Sequence, residues 1–327
     1  VGVHVDHHAM WIDPNDPNRI VVGDDGGVSE SFDKGGNWLV LNSIAISQVY
    51  DVSFNYAVPY SVCGGLQDNG AWCGPSRRKS GSITNSMWYT ITGGDGFYTA
   101  MDPVNPNIVY GESQGGGMAR VNVATGELVN LSKPNAAARI AAWNDTIAVL
   151  EDDSVHAVTA AGKKRIGEIK AIIAADSAAF ALRWNWETPF FLSPHNPAVF
   201  YAGSNRVMKS VARGDSMFPI SPDLTYADST KVRISTRTTG GITTDATGAE
   251  TFATLVSLAE SPLRPGLLYA GPDDGRTWFS RNDGGDWEEV THRITGVPAG
   301  TYISRIEPSS ADTSTFYVAF DNHRNGD

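Results

Sequence analysis

Carboxylates set beside glycines and amides are the most frequent chemistry-bearing feature of this chain. They occur in short clusters: Asp6-His7-His8, Asp24-Asp25, Gln67-Asp68-Asn69, Gly94-Asp95, Glu112-Ser113-Gln114, Trp184-Asn185-Trp186-Glu187, Asn205-Arg206 and Asp273-Asp274. Hydrolysis of a glycosidic bond needs two carboxyls about 5 to 10 Å apart, one giving a proton and one acting as base or nucleophile. Asp24, Asp68, Asp95, Glu112, Glu187 and Asp273 are the candidates, and spacing alone does not rank the pairs. Without that separation the same residues make a binding surface. Carboxylates and amides accept hydroxyl or ammonium hydrogens, and the indoles of Trp184 and Trp186 stack on sugar rings. For any single Asp or Asn next to glycine, a purely turn-forming role carries more weight.

Other chemistries fit poorly. His7 and His8 are adjacent in a predicted strand and point to opposite faces, so they do not share one ion. Asp24-Asp25 and Asp273-Asp274 hold oxygen ligands of the kind calcium takes, but without EF-hand spacing, so no cofactor is expected and calcium is the one ion these pairs would suit. There is no G-x-S-x-G, and Gly162-Lys163 lacks the glycine spacing of a phosphate-binding loop. With 25 basic against 36 acidic side chains the net charge is −11. No Lys/Arg cluster offsets it, which argues against a nucleic-acid partner. No run approaches the roughly 18 apolar residues of a membrane-spanning helix. The opening VGVHVDHH has neither Met nor a hydrophobic leader and reads as a mature or trimmed start.

The elements that must position these groups read as β-strands. Gly (34) and Pro (17) are abundant among the 327 residues, and the 41% apolar content lies in short β-branched and aromatic runs. One phrase recurs as DPNDPNRIVVG, DPVNPNIVYGE, SPHNPAVFYAG, SPLRPGLLYAG and EPSSADTSTFYVAF, starting at 13, 102, 193, 261 and 307. Each follows an apolar strand, so it reads as strand, Pro/Asn turn, strand. The first two intervals, 89 and 91, fit two units each. VYDVSFNY with VPYSVCGG, and TIAVLE with SVHAVTA and KKRIGEI, supply the intervening units as further strands. Inner strands then begin near 7, 49, 95, 146, 188, 252 and 302. The expected fold is all-β: a β-propeller of seven four-stranded blades in one domain over 1–327, with an atypical Ala-rich blade or insertion at 135–182.

A second phrase, Ser31-Phe-Asp33-Lys-Gly-Gly-Asn-Trp38, fits S-x-D-x-G-x-x-W, and Ser280 to Trp287 repeats it with Asn282 in the Asp place. Residues 210–217 are a worn copy. Ser and Asp side chains can bond turn amides, and the Trp can bury its ring between sheets, so Ser31, Asp33, Trp38, Ser280 and Trp287 are assigned structural roles. With these turns the chain resembles the Asp-box, or bacterial neuraminidase-repeat, propellers, a group including sialidases, xyloglucan-degrading glucanases and the sortilin luminal domain. It is most similar to large exported bacterial propellers labelled sortilin-like or glycosyl hydrolase, through GGLQDNG, GGDGFY, FLSPHNP, SPDLT and ISRIEPS. The resemblance covers all but about 135–182. It implies a longer protein with a further propeller domain, and it specifies fold better than activity. Sialidases need three arginines and a Tyr nucleophile, and Arg206 with Arg183 are too few.

On a propeller, the loops before inner strands and those between second and third strands share one face. That face collects His7, His8, Asp24, Asp25, Gln67, Asp68, Asn69, Asp95, Glu112, Gln114, Trp184, Trp186, Asn205, Arg206, Asp273 and Asp274 as candidate ligand contacts. Both indoles of Trp184-Asn-Trp-Glu187, read as entering a strand, fall on one side of it. Cys63 and Cys73 lie five residues either side of Asp68, as cross-strand neighbours of a hairpin would. A disulfide between them implies an oxidising, exported location, periplasmic or extracellular. The resulting expectation is an exported binding module for polysaccharide or peptide. The alternative is an endo-glucanase-like glycoside hydrolase.

Overall fold

A computed structural model describes residues 2–41, 46–131, 133, 147–148, 150–151, 159–179, 182–236, 243, 245 and 249–326. The chain divides into two compact units, Val1–Asn130 and Leu131–Asp327. The first holds three antiparallel sheets: β1 (His7–Ile12), β2 (Ile20–Asp24), β3 (Gly27–Ser31), β4 (Leu39–Val40); then β5 (Val49–Phe54), β6 (Ser61–Leu66), β7 (Gly70–Pro75), β8 (Tyr89–Thr92); then β9 (Gly96–Met101), β10 (Ile108–Ser113), β11 (Gly117–Asn122), β12 (Glu127–Asn130). The second holds β13 (Phe190–Leu192), β14 (Phe200–Gly203), β15 (Val207–Ser210), β16 (Phe218–Pro219); β17 (Leu255–Glu260), β18 (Leu268–Pro272), β19 (Trp278–Ser280), β20 (Glu288–Glu289); and a two-stranded sheet, β21 (Tyr302–Pro308) with β22 (Phe316–Asp321). Each four-stranded sheet is an up-and-down meander in chain order, the unit from which β-propellers are built.

Six of the seven expected inner strands are present, as β1, β5, β9, β13, β17 and β21. The one expected near 146 is not. Ile147, Ala148, Leu150 and Glu151 are helical, and KKRIGEI lies inside α1 (Ala160–Ala179). Local preference decides this: Ala, Lys, Arg and Glu lose little on entering a helix. Thr159 Oγ1 accepts a hydrogen bond from Gly162 N at 3.1 Å, an N-terminal cap. SVHAVTA lies largely outside the described residues. A second helix, α2 (Ser229–Thr236), begins where Thr230 N donates to Asp228 Oδ1 at 2.9 Å. The sheets follow the all-β expectation, and the helices are additions to it.

The recurring Pro phrase is one hydrogen-bonded turn used repeatedly. Asp13, Asp102, Ser193, Ser261 and Ser309 each donate their backbone N–H to the carbonyl six residues on, at 2.9 to 3.1 Å. Their side-chain oxygens accept from the amide two residues on, so each residue closes the turn at both ends. A sixth copy at 55–61 escaped the sequence reading. Asn55 N donates to Ser61 O at 3.2 Å and Asn55 Oδ1 accepts from Ala57 and Ser61.

Apolar side chains pack between neighbouring sheets within each unit. Cys63, Cys73, Ile91, Met101 and Val109 join the second and third sheets. In the second unit Tyr201, Val207, Leu255 and Leu268 form one core, and Leu267, Phe279, Ile303 and Ile306 another. Backbones also meet directly: a Cβ on Gly65 would lie 2.0 Å from Phe97 O, and one on Gly96 would lie 2.3 Å from Gly70. Only glycine permits that approach, which explains Gly65 and Gly96.

In the turn after β3, Gly35 N donates to Ser31 Oγ at 2.8 Å and Asn37 N to Asp33 Oδ1 at 2.7 Å, while Asn37 Nδ2 donates to Asp33 Oδ2. After β19, Gly284 N and Asp286 N bond Ser280 Oγ and Asn282 Oδ1, each at 2.9 Å, and Asn282 Nδ2 donates to Asp286 Oδ2. The two turns thus exchange Asp and Asn while keeping one donor facing one acceptor. Trp287, half-buried as Trp38 is, packs on the core and donates Nε1 to Ile220 O at 3.0 Å.

Cys63 and Cys73 face each other in the β6–β7 register and form a disulfide, both sulfurs fully buried. None of the described helices is long and apolar enough to cross a membrane.

Candidate functional site

In the first unit, the turns at one end of three successive sheets converge. Asp68, in the β6–β7 turn with a left-handed φ of 60°, donates its N–H to Asp95 Oδ1 at 2.6 Å. Gln114, from the β10–β11 turn, donates Nε2 to Asp95 Oδ2 at 3.1 Å. Asn69 Nδ2 reaches Asp25 O in the β2–β3 turn at 3.1 Å and Gln67 O at 3.0 Å. Asp25 Oδ1 lies 2.5 Å from His8 Nε2, while His7 bonds the carbonyl of His4. Asp24 serves its own turn, accepting from Gly26 N at 2.9 Å.

Burial raises the pKa of Asp68, as do a hydrogen bond to the Asp95 carboxyl and the charges of Asp95, Asp25 and Asp6. Neighbouring negative charge disfavours the ionised form of Asp68 in the same direction as burial does. His4 was not singled out in the sequence. Its ring nitrogens face two carbonyls, Val5 O at 3.0 Å and Asp68 O at 3.1 Å, and only the imidazolium satisfies both. These carbonyls and the charges of Asp24 and Asp25 raise its pKa against the effect of burial.

In the second unit the corresponding strand ends are drier. Asp273 is 2% exposed and Asp274 4%. Thr254 N donates to Asp273 Oδ1 at 3.0 Å, and Arg324 reaches both the Asp273 carbonyl and, at 3.7 Å, its carboxyl. Burial, reinforced by Asp274, pushes Asp273 up to about 8 despite Arg324. Burial pushes Asp274 up to about 6, opposed by the amides of Tyr226 and Arg276. Arg183 pairs with Asp223 at 2.9 Å and bonds Ala253 O and Thr225 Oγ1. Asn205 bonds Asp223, and Arg206 donates to Ser221 O. Tyr302 has its pKa raised by burial, with Glu187 and Asp273 contributing.

Three expectations change. Glu112 is fully buried and accepts from Gly116 N at 3.1 Å, so it braces its own turn rather than facing a ligand. Asp95, Asn205, Asp273 and Asp274 are also buried. Trp184-Asn-Trp-Glu187 does not enter a strand, because Asn185 folds it into a turn: Asn185 Oδ1 accepts from Glu187 N at 3.1 Å and Asn185 O from Thr188 Oγ1 at 2.9 Å. Pro189 then separates that turn from β13, and both indoles are half-buried. Among the described residues, no group of three or more His, Cys, Asp or Glu is placed to hold a metal ion. Arg324, Asp223 and Arg276 were missed because their partners are remote in sequence. SPDLT, which holds Asp223, was noticed only as a motif.

No family profile matches the sequence, and no curated protein matches it. Among solved structures it is similar to a GH74 enzyme from Niastella koreensis, at 13% identity over 97% of this chain and 44% of that one, with a TM-score of 0.48. It is also similar to an auxiliary nutrient binding protein from Bacteroides thetaiotaomicron, at 10% identity over 98% and 68%, with a TM-score of 0.46. A GH74 xyloglucanase from Xanthomonas campestris gives 14% identity over 86% and 37%, with a TM-score of 0.39. The chain therefore spans less than half of either GH74 enzyme. Likeness at this level carries no argument about ligand or activity.

Proposed function

We propose that this chain is an exported binding module of Asp-box, sortilin-like propeller blades, which takes a polysaccharide or peptide on the strand ends where carboxylates and amides converge. The contact between Asp68 and Asp95 carries the reading. Both oxygens of the Asp95 carboxyl are taken up by neighbours, Oδ1 by the Asp68 N–H at 2.6 Å and Oδ2 by the Gln114 amide at 3.1 Å, whereas a hydrolase needs two carboxyls free to act about 5 to 10 Å apart across a scissile bond. Glu112 and Asp273, buried at 0% and 2% exposure, are poorly situated to meet substrate. His7, His8, Asp25, Gln67, Asn69 and Gln114 offer acceptors and donors in the first unit. Trp184, Trp186, Glu187 and Arg206 do so in the second. The buried disulfide supports an oxidising location.

The test is a titration of the purified full chain against oligosaccharide and peptide panels, with released reducing ends measured in parallel. Saturable binding without cleavage is expected. Cleavage abolished by Asp68→Asn, Asp95→Asn or Glu187→Gln would establish the hydrolase instead.

A further inference from the structure

A cavity of about 310 Å³ opens in the second unit beside the β18–β19 turn, with Gly275, the residue after the Asp273-Asp274 pair, in its wall. Tyr226, Glu289 and His292 line it together with Val297, Pro298 and Phe320. Tyr226 is 57% exposed. It is nonetheless clamped. The Arg276 guanidinium lies 4.7 Å from the Tyr226 ring centre and 4.5 Å from that of Trp278. Trp278 Nε1 donates to Leu224 O at 2.7 Å, and Tyr226 N donates to Asp274 Oδ2 at 2.6 Å. A ring already fixed loses little further freedom when a ligand lands on it.

The charges beside the cavity cancel internally. Arg276 Nη2 donates to Glu289 at 2.6 Å, and the Thr291 hydroxyl bonds the same carboxyl. A cationic ligand would find this carboxylate already paired, and an anionic ligand would meet it directly. A wholly apolar ligand would strip water from Glu289, Thr291 and His292 and return no hydrogen bond. What suits both halves is a neutral ring with an apolar CH face and hydroxyls around its edge.

We propose that this cavity is a pyranose-binding pocket, in which one neutral sugar unit stacks on Tyr226 and directs hydroxyls to Glu289 and His292. The inference rests on the saccharide branch of the function proposed above and adds to it a defined subsite beside the Asp273-Asp274 pair.

The experiment is calorimetric titration of the full chain with neutral methyl pyranosides and their disaccharides, alongside an unrelated peptide panel. Wild type, Tyr226→Ala, Tyr226→Phe, Glu289→Gln and Tyr56→Ala are compared, with circular dichroism confirming the fold of each. The proposal expects saccharide affinity to fall by about tenfold or more in Tyr226→Ala. Affinity is retained in Tyr226→Phe, which keeps the ring, is weakened in Glu289→Gln, and is unchanged in Tyr56→Ala, which removes an exposed ring of the first unit. Saccharide binding that survives Tyr226→Ala intact would overturn the pocket. So would a wild type that binds no neutral saccharide. If that protein still binds peptides, the binding-module reading stands and the pocket alone falls, whereas binding of neither removes both.

Discussion

At the scale of single residues, environment divides the carboxylates into distinct roles. Asp273 is ringed by its turn amides, Arg324 and Asp274, and burial keeps it protonated to about 8. Because its folded pKa lies above its ordinary value of 3.8, its contribution to stability is whole below that value and is lost as pH rises toward 8. Urea unfolding at pH 4, 6 and 8 should show wild type losing stability across this window, and Asp273→Asn should flatten the slope. Carboxylates with lowered pKa, such as Asp33 and Asp223, act in the opposite direction below about pH 5, and because both proteins share them they cancel in the comparison of slopes. An equal slope in both proteins would place Asp273 in a wetter setting. His4 gives a second check: its imidazole should titrate above the ordinary 6.5 in a histidine NMR titration, and a value at or below 6.5 would mean that its two carbonyl contacts do not hold in solution.

At the scale of elements, one turn and one bridge dominate. The Asp33/Asn37 and Asn282/Asp286 pairs carry the same donor and acceptor in opposite order. Asn282→Asp alone sets two carboxylates against each other and should cost about 0.5 to 1 kcal/mol, and adding Asp286→Asn should recover most of it. Additive effects in that denaturation cycle would contradict the pairing. Trp287→Ala should cost about 2 kcal/mol, because the half-buried ring packs on a core and its Nε1 bonds Ile220 O. Replacing Cys63 and Cys73 together by Ala should cost on the order of 2 to 3 kcal/mol. These elements were legible in the sequence because their bonds are local: Ser31 to Gly35, Asp13 to Asn15, and the hairpin centred on Asp68. The copy at 55–61 was missed because Asn55 stands where the other phrases have Asp or Ser and Tyr56 stands where four of them have their first Pro, although Pro59 keeps the place of the second. The helix at 160–179 was missed because the repeat was extended through a stretch with its own strong preference. The partners of Asp273 and Asp223 were not legible at all, since Arg324 and Arg183 reach them across 51 and 40 residues.

At the scale of the whole molecule, each unit repeats one sheet so that second-to-third strand turns and inner-strand entries gather at common ends. The binding reading requires those ends to hold a ligand without breaking it. The most direct measurement is a single titration of the full chain with an oligosaccharide series, in which heat of binding and released reducing ends are followed in the same samples, for wild type and for Asp68→Asn. The account predicts saturable binding, substrate recovered intact, and weaker binding in the variant for ligands too long for the Tyr226 pocket alone. Steady release of reducing ends by wild type, lost in Asp68→Asn, would contradict it.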